Sequence, residues 1–388
     1  MANVNQIYLL VNDSAKEAIG SKAITVKDTG TLVSLGNQVL SNTENKDAFY
    51  KALTDRIGRT VIAVRAYAPK ARAVKRDDMD WGIIYQKISF KLNNASANGT
   101  WNTETQADPF DVQPQTEAVE TLFSKMGTYT YEDSIPDVQL FTAFTSAERM
   151  GAFISGIYVN MDNALKLAED NLANLAVNTY MAGALIKGKA TQKRNLLTEY
   201  NTATGETLTV ANCLRNADFL KFASREIKTV ISNMEKFSVL YNASTDIPRF
   251  TPSDKLVVEI LGQFASATAS YLESNTYHKE LVALPMYEEV AYWQGEGENF
   301  SFNDVSTISI VNENLATTGN ETGTITQSGI IAFVHDVDAV ASIIMNRRSN
   351  SIYNPRAERF NIFEKADKGF AVDLTENGVV FYIADSKK

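Results

Sequence analysis

Cysteine is almost missing from this chain. Cys213 stands alone in 388 residues, so no internal disulfide forms and no cysteine-based zinc site can be assembled. Histidine is nearly as scarce, with only His278 and His335. Eight prolines and 20 glycines are too few for a collagen-like or linker-like polymer. Positive charge is in deficit: 37 basic against 46 acidic side chains give a net charge of −9. A dedicated duplex-binding protein draws most of its affinity from neutralising phosphates, so this balance argues against tight wrapping of DNA and leaves room only for weak contact. Apolar runs are short as well. Residues 379–384, Val-Val-Phe-Tyr-Ile-Ala, are of strand length, far below the roughly 20 residues a membrane span needs. The first eleven residues carry no basic leader, apolar core or small-residue cleavage site, so a soluble protein made in the cytoplasm is expected.

What remains is an ordinary globular supply. Hydrophobic residues make up 44% of the chain, aromatic ones 10% and charged ones 21%, enough for one large core or two to three smaller ones. No repeat recurs at a period of 20 to 50 residues, which sets aside solenoids and propellers.

Along the chain, the first forty residues are polar and interrupted by Gly20, Gly30 and Gly36; they predict an extended arm with only short elements. A short helix follows, capped by Asn42 or Thr43 and carrying Phe49, Ala52, Leu53 and Arg56. Residues 60–67 alternate as a buried strand. Residues 81–92 read as another strand, then a polar tip (93–100), and 119–131 return as a second extended stretch. This long two-stranded excursion has little to bury against itself. An isolated hairpin is marginal in water, so a long one leans on something else, and this is a first hint of a partner subunit.

Residues 146–182 give the clearest helix. Met150, Phe153, Ile157, Met161, Ala164, Ala168, Leu172, Leu175 and Thr179 recur at spacings of three and four, one stripe of a 3.6-residue period. At 1.5 Å per residue it would span roughly 55 Å, and without regular flanking charges a domain-crossing role is favoured over a coiled coil. A second helix covers about 214–237. Residues 255–261 read as a strand followed by a small-residue helix to about Tyr271, and 285–329 as short strands and loops. Residues 330–334 form a buried strand. Strands at 359–363 and 369–374 follow, with Glu376-Asn377-Gly378 as a hairpin turn into 379–383. Helices and strands interleaved without βαβ regularity predict an α+β fold.

Motifs for chemistry are thin. No phosphate loop, dinucleotide fingerprint, nucleophile elbow or H-E-x-x-H occurs. Gly295-Glu296-Gly297 is half a dinucleotide signature with a glutamate where phosphate would lie, and a surface turn is the simpler reading. His335 adjoins Asp336, a pair that can orient a general base; no nucleophile is placed by motif, and an ordinary strand-end histidine suffices. Asp77, Asp78 and Asp80 offer hard oxygens for a divalent ion but lack the glycine and closing glutamate of an EF-hand, so a solvated turn is preferred. No catalytic residue, cofactor or metal is expected. Charge patterning says more. Arg65, Lys70, Arg72, Lys75 and Arg76 form a block without acids, and Glu104, Asp108, Asp111, Glu117 and Glu120 a block without bases. Opposite blocks in one excursion could bring neighbouring copies into register, although two unrelated solvated faces would look the same.

Four stretches carry a family resemblance: Asp55-Arg-Ile-Gly-Arg-Thr-Val-Ile62, Phe141-Thr-Ala-Phe-Thr-Ser-Ala-Glu-Arg-Met-Gly-Ala-Phe-Ile154, residues 252–261, and Asn354-Pro355-Arg356 with the strands running on to Tyr382. With the order of elements, they resemble the major capsid proteins of tailed bacteriophages, the Hong Kong phage fold also seen in encapsulins and herpesvirus shells, and most of all those of small podoviruses. The resemblance implies an N-arm (1–42), a first part of a peripheral domain (43–67), an E-loop (68–136), the rest of the peripheral domain with its spine helix (137–195), an axial domain (196–340) and closing strands of both domains (341–388). It implies self-assembly into pentamers and hexamers of an icosahedral virion shell, built in the host bacterial cytoplasm around double-stranded DNA that is contacted weakly. A separate scaffolding protein and a portal are implied partners, since the likeness begins near residue 40 and leaves no room for a fused scaffolding extension. The E-loop would bury Ile84, Ile88, Phe110, Leu122 and Phe123 on a neighbouring subunit, with Arg65, Arg72, Lys75 and Arg76 facing acids such as Asp111 and Glu117. An encapsulin-type compartment, a tube or sheath subunit, and an enzyme remain the alternatives.

Overall fold

The computed structural model describes residues 4–42, 44–53, 75–77, 85–91, 117–123, 126–243, 247–275, 287–294, 304–311 and 324–385. Residues 4–40 are mostly helical where an extended arm was expected. Helix α1 (Val4–Ile19) buries Ile7, Val11 and Ala15, and α2 (Thr29–Leu40) buries Leu32, Leu35 and Val39. The glycines mislead because side-chain amides hold the connection between the helices. Asn12 accepts from Val26 N–H at 2.6 Å and donates to its carbonyl at 3.0 Å; Gln38 accepts from Ile24 N–H and donates to the Lys22 carbonyl. These bonds stand in for backbone pairing. Asp28 and Thr31 close a reciprocal capping box that starts α2.

Helix α3 (44–53) follows. The strand expected at 60–67 lies outside the described residues. Strands β1 (Lys75–Asp77), β2 (Tyr85–Phe90), β3 (Ala118–Phe123) and β4 (Met126–Pro136) come next, then α4 (Asp137–Ala143) and α5 (Ala147–Lys187). The expected long helix is α5, 41 residues capped by the Ser146 hydroxyl. Beyond it lie β5 (Lys193–Asn195), α6 (Leu196–Thr204), α7 (Val210–Cys213), α8 (Ala217–Met234), β6 (Leu256–Leu261), α9 (Gly262–Asn275), β7 (Glu288–Val290), β8 (Ile308–Val311), β9 (Thr324–Gln327), β10 (Ile330–Asp336), β11 (Val340–Asn354), β12 (Arg359–Val372) and β13 (Gly378–Tyr382).

Two larger sheets organise the chain. One has the order β1-β11-β12-β4, the other β5-β13-β10-β6-β7; β2 pairs with β3 and β8 with β9. The expected pair at 359–363 and 369–374 is one continuous strand, β12. The turn Glu376-Asn377-Gly378 is not a hairpin. Strand β12 pairs with β11 and β4, whereas β13 pairs with β10 and β5, so the turn is a crossing from one sheet to the other. Its residues satisfy tertiary demands: Asn377 donates from its side chain to Thr251 Oγ1, and Gly378 lies where a Cβ would come within 2.4 Å of the Tyr180 hydroxyl oxygen.

Three cores result. The first joins α1, α2 and α3 to Met150 of α5 and to Ile135, Phe360 and Ile362 of the four-stranded sheet, with Tyr50 stacked on Phe360 at 4.3 Å. The five-stranded sheet separates the other two. Val258, Ile331, Val334, Val379 and Phe381 pack with α6, α8 and α9, while Leu261, Phe333 and Val380 pack with the C-terminal part of α5 and with Trp293 and Ile308. Strand β4 belongs wholly to the four-stranded sheet, pairing with β12 along its length. Of the long excursion, β2 and β3 therefore form a sheet of their own.

Candidate subunit interface

Strand β2 alternates in chemistry as well as direction. Lys87 and Ser89 lie toward the body of the chain, and Ile88 and Phe90 toward solvent at 56% and 62% exposure. A strand shows one face every second residue, so the two sets cannot mix. The inward set is held by charge. Lys87 Nζ lies 2.7 Å from Asp373 Oδ2 and 2.8 Å from Glu376 Oε1. Arg249 Nη2 donates to Ser89 Oγ at 2.7 Å and sits 3.3 Å from the same Glu376 oxygen. Burial opposes the charge on Lys87, but Asp373 and Glu376 outweigh it, and its pKa is raised.

Register fixes what lies beside the outward set. Ile88 pairs with Glu120 and Phe90 with Ala118, both exposed. Residues directly opposite share a face, so this face carries two large apolar groups and little to cover them. Leu122 and Phe123 continue β3, paired with Gln86 and Tyr85. Glu117 is exposed and pairs with Lys91 at 2.8 Å across the same hairpin, an ion pair worth at most about 1 kcal/mol at the surface. Lys75 and Arg76 sit on β1 and pair in parallel with Ser342 and Ile343. Arg65, Arg72, Ile84, Phe110 and Asp111 lie outside the described residues, as do His278, Gly295-Glu296-Gly297, Asp78 and Asp80. The structure thus brings Ile88, Leu122 and Phe123 to one two-stranded sheet, with Glu117 just outside it beside Lys91. Lys87, Ser89, Arg249, Asp373 and Glu376 carried no signal in the sequence, because nearly three hundred positions separate Lys87 from its carboxylates.

His335 is buried, its ring stacked on Phe333 at 4.6 Å and its Nδ1 2.7 Å from the Asp336 carbonyl oxygen. The Asp336 carboxylate accepts instead from Thr251 and from Asp338 N–H, so it does not orient the imidazole. Among the described residues, no three His, Cys, Asp or Glu side chains converge as a metal site, and no helix is long and apolar enough to cross a membrane.

The family model described as Phi29-like phage major capsid protein matches residues 11–382. The major capsid protein of Bacillus phage GA-1 is 24% identical over 168 residues, which is 43% of this chain and 35% of that protein's length. Among solved structures, the capsid of Staphylococcus phage Andhra is similar over 82% of this chain and 84% of that one, with a TM-score of 0.53 at 9% identity. A structure of the head fiber and inner core protein gp22 of native bacteriophage P68 gives 0.52 over 79% and 83% at 8% identity. At such identities the structural likeness is one of fold.

Proposed function

We propose that this chain, which belongs to the Phi29-like phage major capsid protein family, builds the icosahedral shell of a tailed phage by assembling with copies of itself into pentamers and hexamers. The observation that carries the reading is the outward face of β2, where Ile88 and Phe90 are left in water by a strand whose other face is anchored in its own subunit. Apolar groups displayed on an anchored strand mark an interaction surface, and in a closed shell every subunit presents that surface to a neighbour and receives one in return.

In this reading the β2–β3 hairpin is the E-loop, the region around the four-stranded sheet and α5 is the peripheral domain, and the five-stranded sheet with α6, α8 and α9 is the axial domain. The basic block with Arg65, Arg72, Lys75 and Arg76 meets acids such as Asp111 and Glu117 on adjacent copies, setting register more than affinity. The negative balance suits a container that holds double-stranded DNA without gripping it. A separate scaffolding protein and a portal are the expected partners, assembly takes place in the host bacterial cytoplasm, and no catalytic step is assigned to the chain.

Negative-stain electron microscopy of the protein expressed with and without its neighbouring genes tests this. Closed shells, or rings of five and six, are expected. A homogeneous small oligomer under every condition overturns the reading, and shells filled with a cargo enzyme would move it to an encapsulin-type compartment.

A further inference from the structure

The carboxylates that hold the hairpin have a particular address. Asp373 and Glu376 lie between the end of β12 at Val372 and the start of β13 at Gly378, on the crossing between the two sheets. That crossing is fixed from several sides. Tyr180 of α5 donates to the Glu376 carbonyl at 2.9 Å, Asp336 N–H to the Asn377 carbonyl at 3.0 Å, and Gly378 N–H to the Tyr241 carbonyl at 2.9 Å. Asp373 N–H donates to the Ala339 carbonyl, and the Asp373 carboxylate takes the Thr375 backbone and hydroxyl through its other oxygen. The backbone that carries both carboxylates, and the Asp373 side chain as well, is thus held by contacts outside the hairpin.

Two cations from elsewhere complete the set. Lys87 comes from β2 itself and Arg249 from the segment paired with Ser238, and Arg249 binds the hairpin at Ser89 and the crossing at Glu376. All four charged side chains are less than a fifth exposed. Charges this sheltered are held by geometry, and removing one leaves its partners desolvated and unpaired. Lys87 also reaches the Asp338 carbonyl at 3.4 Å, on the turn between β10 and β11. The inward face of β2 thus meets both of the short turns that join the two sheets, β10 to β11 and β12 to β13.

We propose that Lys87, Arg249, Asp373 and Glu376 form a latch that sets the direction in which the β2–β3 hairpin leaves its own subunit, tying that direction to the junction of the two sheets. A tilt of one sheet against the other is then passed to the hairpin as a change of aim. Surface area alone would not do this, because apolar contact is non-directional, whereas a lysine shared between two fixed carboxylates has one place to sit. The latch deepens the assembly reading and rests on it only for the consequence in shells.

Hydrogen exchange of the soluble protein, read by mass spectrometry, tests the latch without requiring shells. In Lys87→Met the amides of β2 and β3 should exchange at least about tenfold faster, with β10 unchanged, because a sub-global opening of the hairpin is separated from global unfolding. Lys87→Arg should keep protection near wild type. If Lys87→Met does not yield folded protein, Glu376→Gln carries the same readout, since it weakens both cations' contacts and leaves Asp373 charged. Wild-type exchange in the hairpin of the neutralised variants, or a loss spread equally over β10, overturns the latch. Electron microscopy of the same variants then separates the two ideas. Closed wild-type shells with irregular or open assemblies from Lys87→Met support both; absence of shells from wild type overturns the assembly reading while the exchange result still decides the latch.

Discussion

Strands β10 and β2 differ by one residue in length, seven against six, and both pair antiparallel with a neighbour. Every residue of β10 is buried. Ile331 and Val334 face one core and Phe333 the other, so the strand is consumed by its own subunit on both sides. Strand β2 is consumed on one side only. Its inner face is polar and tied by charge, and its outer face leaves Ile88 and Phe90 exposed. Full burial of such a side chain is worth about 1.5–3 kcal/mol, and the isolated chain does not collect it. The contrast teaches how one polypeptide can divide its apolar surface between folding and association: strands inside the sheets stabilise the subunit, and in the assembly proposed above the hairpin keeps part of its surface for a second copy.

Substitutions on the two strands should therefore separate stability from assembly. Phe333→Ala removes a fully buried ring that stands against Tyr180 at 5.4 Å. Chemical denaturation should show a loss of about 3–5 kcal/mol, and a loss below about 1 kcal/mol would break the claim that β10 is central to the fold. The pair Ile88→Ser and Phe90→Ser should shift subunit stability by only about 0.5 kcal/mol while shell yield collapses; unchanged yield would remove the hairpin face from the interface. The smallest effect concerns pH. Lys87 has a folded pKa raised above the ordinary 10.5 by Asp373 and Glu376 against the opposing effect of burial. Its contribution is complete below the unfolded value and lost only as pH rises through the folded one. Hairpin protection, corrected for intrinsic rates, should therefore keep the full contribution of Lys87 up to about pH 10.5 and lose it only above that; loosening by its deprotonation near neutrality would contradict the pairing.

The legible parts of the fold were those decided locally. Helix α5 announced itself because Met150, Phe153, Leu172 and Leu175 recur at helical spacing, and β10 because an apolar run of that length needs cover on both sides. Helices α1 and α2 were read as an arm although Ile7, Val11, Ala15 and Leu32, Leu35, Val39 do share faces. The polar residues among them suggested solvent, whereas Asn12 and Gln38 are spent on backbone groups of the connecting segment. The turn at Glu376-Asn377-Gly378 shows a different limit. Its residues suit a tight turn in any context, and which strand β13 joins is settled by residues far away, Tyr180 and Thr251 among them. For the site, apolar Ile88 could be picked out by alternation alone. Lys87 could not, because a lysine in an alternating strand looks like solvent-facing charge until Asp373 and Glu376 are brought beneath it.

Helix α5 has one end in the first core, through Met150 and Phe153, and the other in the third, through Val177, Tyr180 and Met181. Its 41 residues amount to about 60 Å of regular backbone. A rod seated at both ends behaves as a tie between two bodies. Pulling the subunit along that axis must stretch a ladder of hydrogen bonds or draw Tyr180 from beneath Phe333, and a close-packed interior yields little before it fails. In a wall loaded from within, such a rod would carry tension across the subunit and spare the loops that join its parts.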